Sequence, residues 1–461
     1  MSTKFGHRYF NAIVPLVDLC IVYLSIIFSF YWFRDSLDAF SNNWYAFLTI
    51  SPFIGIAYLI TANVMEFDKP KDFSFFGVAY TAVLTIFILF LVTMAISFLA
   101  REFAYPRRII MVSSVIQVIF LSGWHLFVNK LYLKSNRQRT VLIIGYQKAK
   151  ELAYKLIGAH SMWSNVQHIC EPANPKAQDY INQCDVTFLT EDIDEDTKQR
   201  IVLYCVENKR TVLYEPRNPE ILLFNAAFTQ IDDSPLLNVH EFGLSPLNEM
   251  IKRILDVFIC TIASAIFLIP GIMVYIILKT GGTAFYSQER VTRGGRIFKI
   301  YKFRTMIENA EALSGPVLAN EKDPRITRFG IFLRSTRLDE IPQLYNILRG
   351  DMTIVGPRPE RPFFVEQFKR EIPEYDLRHR TKAGLTGLAQ IQGKYNTSVR
   401  DKLKYDLLYI NGYSFALDVK LIMQTLNILL RKSSTEGVKT HEDLSDEVEL
   451  LFRKSKEDRY E

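Results

Sequence analysis

Four long apolar runs open the chain, at about 11–33, 45–65, 76–100 and 109–133. Each is roughly the 20 residues that a helix needs to cross a hydrocarbon core of ~30 Å. The first is too long for a signal core and has no small-residue cleavage site, so it is read as a span. Polar positions set the orientation. Lys4 and Arg8 precede the first run, Lys69 and Lys71 separate the second from the third, and Lys130, Lys134, Arg137 and Arg139 follow the fourth. The loop at 34–44 holds Asp35 and Asp38 against Arg34 alone. Positive charge marks the cytoplasmic side, which puts both ends of a four-span bundle (1–138) in the cytoplasm. Arg101, Arg107 and Arg108 oppose this from the third loop, but the basic segment after the fourth run outweighs them.

From 139 to 247 the pattern shortens. "TVLIIGY", "DVTFLT" and "TVLYEP" read as strands, and "KAKELAYKLIGAH" and "DEDTKQRIVLYCVENK" as helices. That alternation predicts a small, Rossmann-like parallel α/β domain. A dinucleotide site would want three glycines in the first strand–helix turn, and "GYQKAK" supplies only Gly145. The domain is therefore read as structural or regulatory, with a nucleotide sensor as the alternative.

A fifth apolar run, 254–278, is long enough to span. Yet Lys252 and Arg253 lie before it, and Lys279, Arg290, Arg293 and Arg296 after it. Pro270-Gly271 interrupts it, and proline removes a helical hydrogen bond. A re-entrant helix over 252–279, bent at Pro270 and returning to the cytoplasmic face, meets both conditions. A kinked fifth span is the alternative.

The net charge of +6 over 461 residues is modest, and much of the excess lies near apolar segments, which suits an anionic lipid surface better than nucleic acid. Cys20, Cys170, Cys184, Cys205 and Cys260 have no metal-ligand spacing and read as reduced core residues.

The last 180 residues carry the candidate chemistry. Lys302, Arg304, Arg325, Arg334 and Arg358 can form an anion site, because guanidinium groups match phosphate oxygens. "GPRP" at 356–359 fixes Arg358 between two prolines. In "RSTRLDEIPQLYNILRGD", Asp339 and Glu340 stand where Pro342 predicts a helix start. A helix amino terminus favours negative charge. A capping aspartate with a first-turn glutamate fits the local sequence as well as a reaction centre does.

The segments "KRILDV", "KIYKFRTM", "DPRITRFGIFLR", "LDEIPQLYNILRGDMTIVGPRPE", "GLTGLAQIQG" and "YDLLYINGYSFALDVKLI" resemble the bacterial sugar transferases. These are the monotopic polyprenyl-phosphate sugar-1-phosphate transferases that initiate exopolysaccharide or capsule synthesis. The spans and α/β segment ahead of them are similar to the large members of that family.

The resemblance implies a mainly α catalytic domain at 248–461 and a multi-pass protein of the bacterial inner membrane, its site facing the cytoplasm. Asp339 would attack a UDP-sugar, release UMP and hold the sugar phosphate until polyprenyl (undecaprenyl) phosphate takes it. Glu340 would bind Mg²⁺. Arg334 and Arg358 would hold diphosphate or uridine, with Lys302 and Arg304 as phosphate partners. Asp406, Tyr409 and Asp418 match family positions without an assigned role. Ile269-Pro270 replaces the family's usual Ser-Pro. The sugar, whether glucose, galactose or an N-acetyl derivative, is left open, and the bundle is consistent with a homodimer. The competing expectation is a membrane scaffold or regulator with an inactive transferase domain.

Overall fold

The computed structural model describes residues 2–37, 40–65, 67, 75–135, 139–158, 163–239, 242–307, 325–393 and 397–429. The loop carrying Lys69 and Lys71, and Arg137, lie outside them. The chain divides into two compact units between Glu215 and Pro216.

The first unit opens with α1 (Ser2–Trp32), α2 (Phe40–Val64), α3 (Phe75–Leu99) and α4 (Arg107–Ser135), all long and apolar enough to cross a membrane. In α1 the residues withdrawn inward recur at helical spacing, as Val14, Asp18, Val22, Ser25, Ile26 and Ser29, while Leu16, Leu24 and Phe28 point out. The same period turns Cys20 outward. It is exposed, contrary to its reading as a core residue, whereas the other four cysteines are buried and all five are free. The interior of the helices is partly polar. His125 Nε2 of α4 meets both Asp18 carboxylate oxygens of α1 at 3.1 Å, a contact that the hydropathy pattern did not anticipate.

The α/β segment follows as β1 (Val141–Ile144), α5 (Gln147–Gly158), β2 (Val166–Cys170), α6 (Ala177–Gln183), β3 (Val186–Leu189), α7 (Glu195–Glu207) and β4 (Thr211–Tyr214). Its strands form a parallel sheet in the order β2-β1-β3-β4. β2 escapes the sequence pattern because His168 and Gln167 interrupt its apolar run. At the turn after β1 the amides already have a resident acid: Lys148 N donates to Asp192 Oδ2 (3.0 Å) and Tyr146 N to Oδ1 (3.4 Å).

The second unit begins with α8 (Asn218–Leu223) and the exposed hairpin β5 (Ala227–Ile231) and β6 (Ser234–Asn238). Then come α9 (Pro246–Lys279), β7 (Phe285–Val291), β8 (Ile297–Phe303), α10 (Arg328–Ser335), α11 (Gln343–Arg349) and β9 (Thr353–Val355). The described part closes with α12 (Pro362–Glu371), β10 (Gly384–Thr386), α13 (Leu388–Gln392), α14 (Val399–Asn411) and α15 (Phe415–Leu429). β7–β8 is an antiparallel ribbon and β9–β10 a short parallel pair, so this unit is mixed α/β rather than mainly α.

Helix α9 is the fifth apolar helix, continuous through Pro270. Its buried positions lie towards the two ends, while large apolar side chains are exposed along its whole length, from Leu247 and Ile254 to Ile276. Near the front, Arg253 Nη1 and Nη2 donate to the Ile347 and Leu348 carbonyls (2.6 and 2.7 Å), satisfying acceptors left over at the end of α11. Asp256 accepts from Thr353 Oγ1 and Ile354 N of β9. Near the back, Val274 and Leu278 are buried with Phe303 and Leu333. Between them Ile262, Ile266, Leu268, Ile269, Ile272 and Met273 are exposed.

Candidate active site

Strand β8 aims one cation. The two-residue alternation that buries Phe298 and Ile300 carries Lys302 onto the same face. The strand ends at Phe303, so Arg304 does not follow: its Nη2 donates to the Gly281 carbonyl just after α9.

Helix α10 supplies the second cation. Thr327 caps it by accepting from Gly330 N (2.9 Å). A Cβ at Gly330 would lie 2.1 Å from the Thr305 carbonyl oxygen, so only glycine lets the helix press this close. One turn on, Arg334 Nε donates to Thr305 Oγ1 (2.9 Å). Arg325 lies before the helix, and its main-chain carbonyl accepts from Ile307 N (3.0 Å).

Arg337 then adopts φ 57°, a left-handed conformation that a side chain disfavours, and turns the chain into the 3-10 turn Leu338–Glu340. Leu338 and Ile341 pack against the Phe303–Leu333 cluster. The helix that Pro342 predicts starts beside the dyad rather than at it. The dyad occupies its own 3-10 turn, and α11 begins only at Gln343, with Pro342 as its cap.

Glu340 is held by side-chain cations rather than by a helix terminus. Its Oε1 lies 2.8 Å from Lys302 Nζ, 3.9 Å from Arg358 Nη2 and 4.0 Å from Arg337 Nη1. Burial opposes ionisation, but these three cations together bring its carboxyl down to about 2. Asp339 is shifted the other way. It is 7 % exposed, and burial followed by the Glu340 charge raises its carboxyl against the pull of Lys302, Arg337 and Arg334. Asp339 Oδ1 is buried without a hydrogen-bond partner among the described residues.

Arg358 approaches from the "GPRP" segment after β9. There Gly356 N donates to the Thr386 carbonyl and Gly384 N to the Pro357 carbonyl, both at 2.8 Å. The structure thus gathers Lys302, Arg334 and Arg358 around the dyad and adds Arg337, which the sequence reading missed. Its only local signal is its place three residues before Glu340.

Asp406, Tyr409 and Asp418 stand apart from the dyad. Asp406 pairs with Arg378 Nη2 at 2.8 Å. Lys252 Nζ donates to Asp418 Oδ2 (2.6 Å) and to Tyr409 Oη (3.0 Å), while Tyr409 Oη donates to Asp418 Oδ1 (2.7 Å). This buried triad fastens the front of α9 to α14 and α15.

No group of three or more His, Cys, Asp or Glu forms a metal cluster among the described residues. Mg²⁺ needs no such cage, since it takes one or two carboxylates and completes its shell with phosphate and water oxygens. An unpartnered Asp339 oxygen beside ionised Glu340 is a donor set of that kind.

Two carboxylates in a ring of cations could hold phosphate, and the apolar helices suggest membrane association. The sequence profile of the bacterial sugar transferases matches residues 247–432. The chain is 50 % identical over 146 residues to a putative undecaprenyl-phosphate N-acetylgalactosaminyl 1-phosphate transferase of Bacillus subtilis, covering 80 % of that protein and 30 % of this one. It is 41 % identical over 191 residues to the UDP-N-acetylgalactosamine-undecaprenyl-phosphate N-acetylgalactosaminephosphotransferase of Aeromonas hydrophila, over 40 % of this chain and 45 % of that protein. With the UDP-glucose:undecaprenyl-phosphate glucose-1-phosphate transferase of Klebsiella pneumoniae it shares 35 % identity over 244 residues, 50 % of this chain and 51 % of that protein. The chain belongs to the bacterial sugar transferase family. The matches span about half the length of the larger relatives.

Proposed function

We propose that this protein transfers a sugar 1-phosphate from a UDP-sugar to undecaprenyl phosphate, the reaction class for which its relatives are named, and so initiates a polysaccharide chain. The observation that carries the reading is the buried, unpartnered Asp339 oxygen beside a glutamate ringed by three cations. An aspartate whose pKa is raised is the more basic, and hence the better nucleophile once ionised.

Asp339 attacks the sugar-proximal phosphorus. The bond from that phosphorus to the bridging oxygen breaks, and UMP leaves with the electron pair. An oxygen of undecaprenyl phosphate then attacks the same phosphorus, and the carboxylate leaves. Lys302, Arg334, Arg337 and Arg358 offset the charge on the phosphates, so catalysis is mainly positioning and electrostatics. Glu340 would hold Mg²⁺, which when bound would neutralise phosphate charge. Arg304, with one Nη2 bond to the Gly281 carbonyl, and Arg325 remain candidates for the donor's phosphates.

The packing of α9 supports a re-entrant placement. Residues near both ends are buried in one unit, while large apolar side chains are exposed along the helix and without interruption by a buried position from 261 to 273. That arrangement would seat the site at the lipid headgroups on the cytoplasmic face of the inner membrane, where the acceptor phosphate lies. The donors named by the relatives include N-acetylgalactosamine and glucose forms. An assay across UDP-glucose, UDP-galactose and their N-acetyl derivatives would identify the sugar.

The test is UMP release by the full chain in membranes. Asp339→Asn is expected to abolish it with every UDP-sugar that the unsubstituted protein uses. Undiminished release would overturn the covalent route.

A further inference from the structure

Arg378 touches neither acid of the dyad, yet it is 4 % exposed, in the 3-10 segment Pro373–Arg380. A buried guanidinium must find partners for its charge and its donors. Nε donates to Asp406 Oδ2 at 2.9 Å, and Nη1 donates to Tyr375 Oη at 2.7 Å. Nη2 faces Asp406 Oδ2 at 2.8 Å and donates to the Arg358 carbonyl at 2.9 Å.

That last bond leads to the site. Arg358 is gripped at its main chain by Arg378, and its side chain reaches Glu340. Pro357 and Pro359 have no N–H to anchor this loop. Its carbonyls take donors instead: Pro357 from Gly384 N, Arg358 from Arg378, and Pro359 from Arg290 Nη1 (3.1 Å).

We propose that Arg378 is a positioning residue. Oriented by Asp406, it fixes the main chain of Arg358 so that the Arg358 guanidinium stands over Glu340. A purely structural role explains the ion pair poorly, since apolar residues of similar volume stabilise a core at least as well as a buried pair. It also leaves the bond to Arg358 unexplained. The planar fork spans a carboxylate, a phenol and a carbonyl together, which a lysine cannot do.

The inference rests on Asp339 and Glu340 being the reaction centre, so the experiment uses UMP release by the full chain and includes Asp339→Asn. Arg378→Lys keeps a charge opposite Asp406 but loses the fork. It should lower kcat/KM by about 10- to 100-fold, the scale set by small misplacements, at a temperature where thermal unfolding shows the variant folded. In an Arg358→Ala background the same substitution should cost little more. Arg378→Lys should divide its loss between kcat and KM in the same proportion as Arg358→Ala does. If Arg378→Lys does not accumulate, Tyr375→Phe removes one partner of the fork and should give a smaller loss with the same non-additivity. Full additivity with Arg358→Ala, or a different split between kcat and KM, would overturn the positioning role while Asp339→Asn stays inactive. An active Asp339→Asn would instead overturn the reaction centre, and this proposal with it.

Discussion

Asp339 and Glu340 share one backbone turn yet are driven in opposite directions by what surrounds them. The raised carboxyl of Asp339 means that the folded state holds this proton more tightly than the unfolded chain. Its ionised form at neutral pH therefore weakens the fold, and the penalty disappears as pH falls through the folded pKa. Asp339→Asn should raise the melting temperature while ending turnover. Glu340 behaves the opposite way. Its carboxyl falls from 4.5 to about 2, so its contribution is complete above about 4.5 and is lost as pH drops towards about 2. Glu340→Gln should lower the melting temperature, by on the order of 2–3 kcal/mol of stability. Thermal unfolding of both variants at neutral pH decides this, and a shift of the same sign in the two would refute the assignment. The sequence made the pair, Lys302, Arg334 and Arg358 legible as chemistry, because basic residues clustered along it. It could not reveal Arg337 or Arg378, since a left-handed φ and a grip on a carbonyl 20 residues away exist only after folding.

At the scale of elements, α9 links the apolar part of its unit to the site. Lys252, Arg253 and Asp256 lie within about one helical turn, and each is committed to a different partner: α15 through Asp418, the end of α11, and β9. Lys252→Met leaves the buried Asp418 without its cation and should cost roughly 3–5 kcal/mol. Adding Asp418→Asn should recover part of that loss, which denaturation of the single and double variants would measure. No recovery would mean that the pair is not what holds these helices together. The apolar spans were legible because twenty apolar residues in a row have few alternatives. "KRILDV" was legible only as a resemblance, because its charged residues act on partners about 90–170 positions further along the chain. β2 was lost for a local reason, the polar residues inside a short strand.

For the whole molecule, the question is which side of the membrane the site occupies. If α9 re-enters rather than crosses, a reporter fused after residue 280 should be cytoplasmic, like one placed between residues 135 and 140. A signal from the opposite side would establish a fifth crossing and remove the site from UDP-sugars. Orientation was legible from charge only as a balance of loops, and part of that balance rests on Lys69, Lys71 and Arg137, outside the described residues. The mixed α/β character of the second unit was obscured because its ribbons are short and charged.

The near-complete withdrawal of Asp339 from solvent bears on timing as well as affinity. On the proposed route the phosphorylated aspartate is an energy-rich anhydride that must wait for a lipid diffusing in two dimensions. Water is always closer than that lipid. A carboxylate set into the protein floor limits hydrolytic leakage during the wait, so the partition between transfer and waste would be governed by the shape of the turn at Leu338–Glu340.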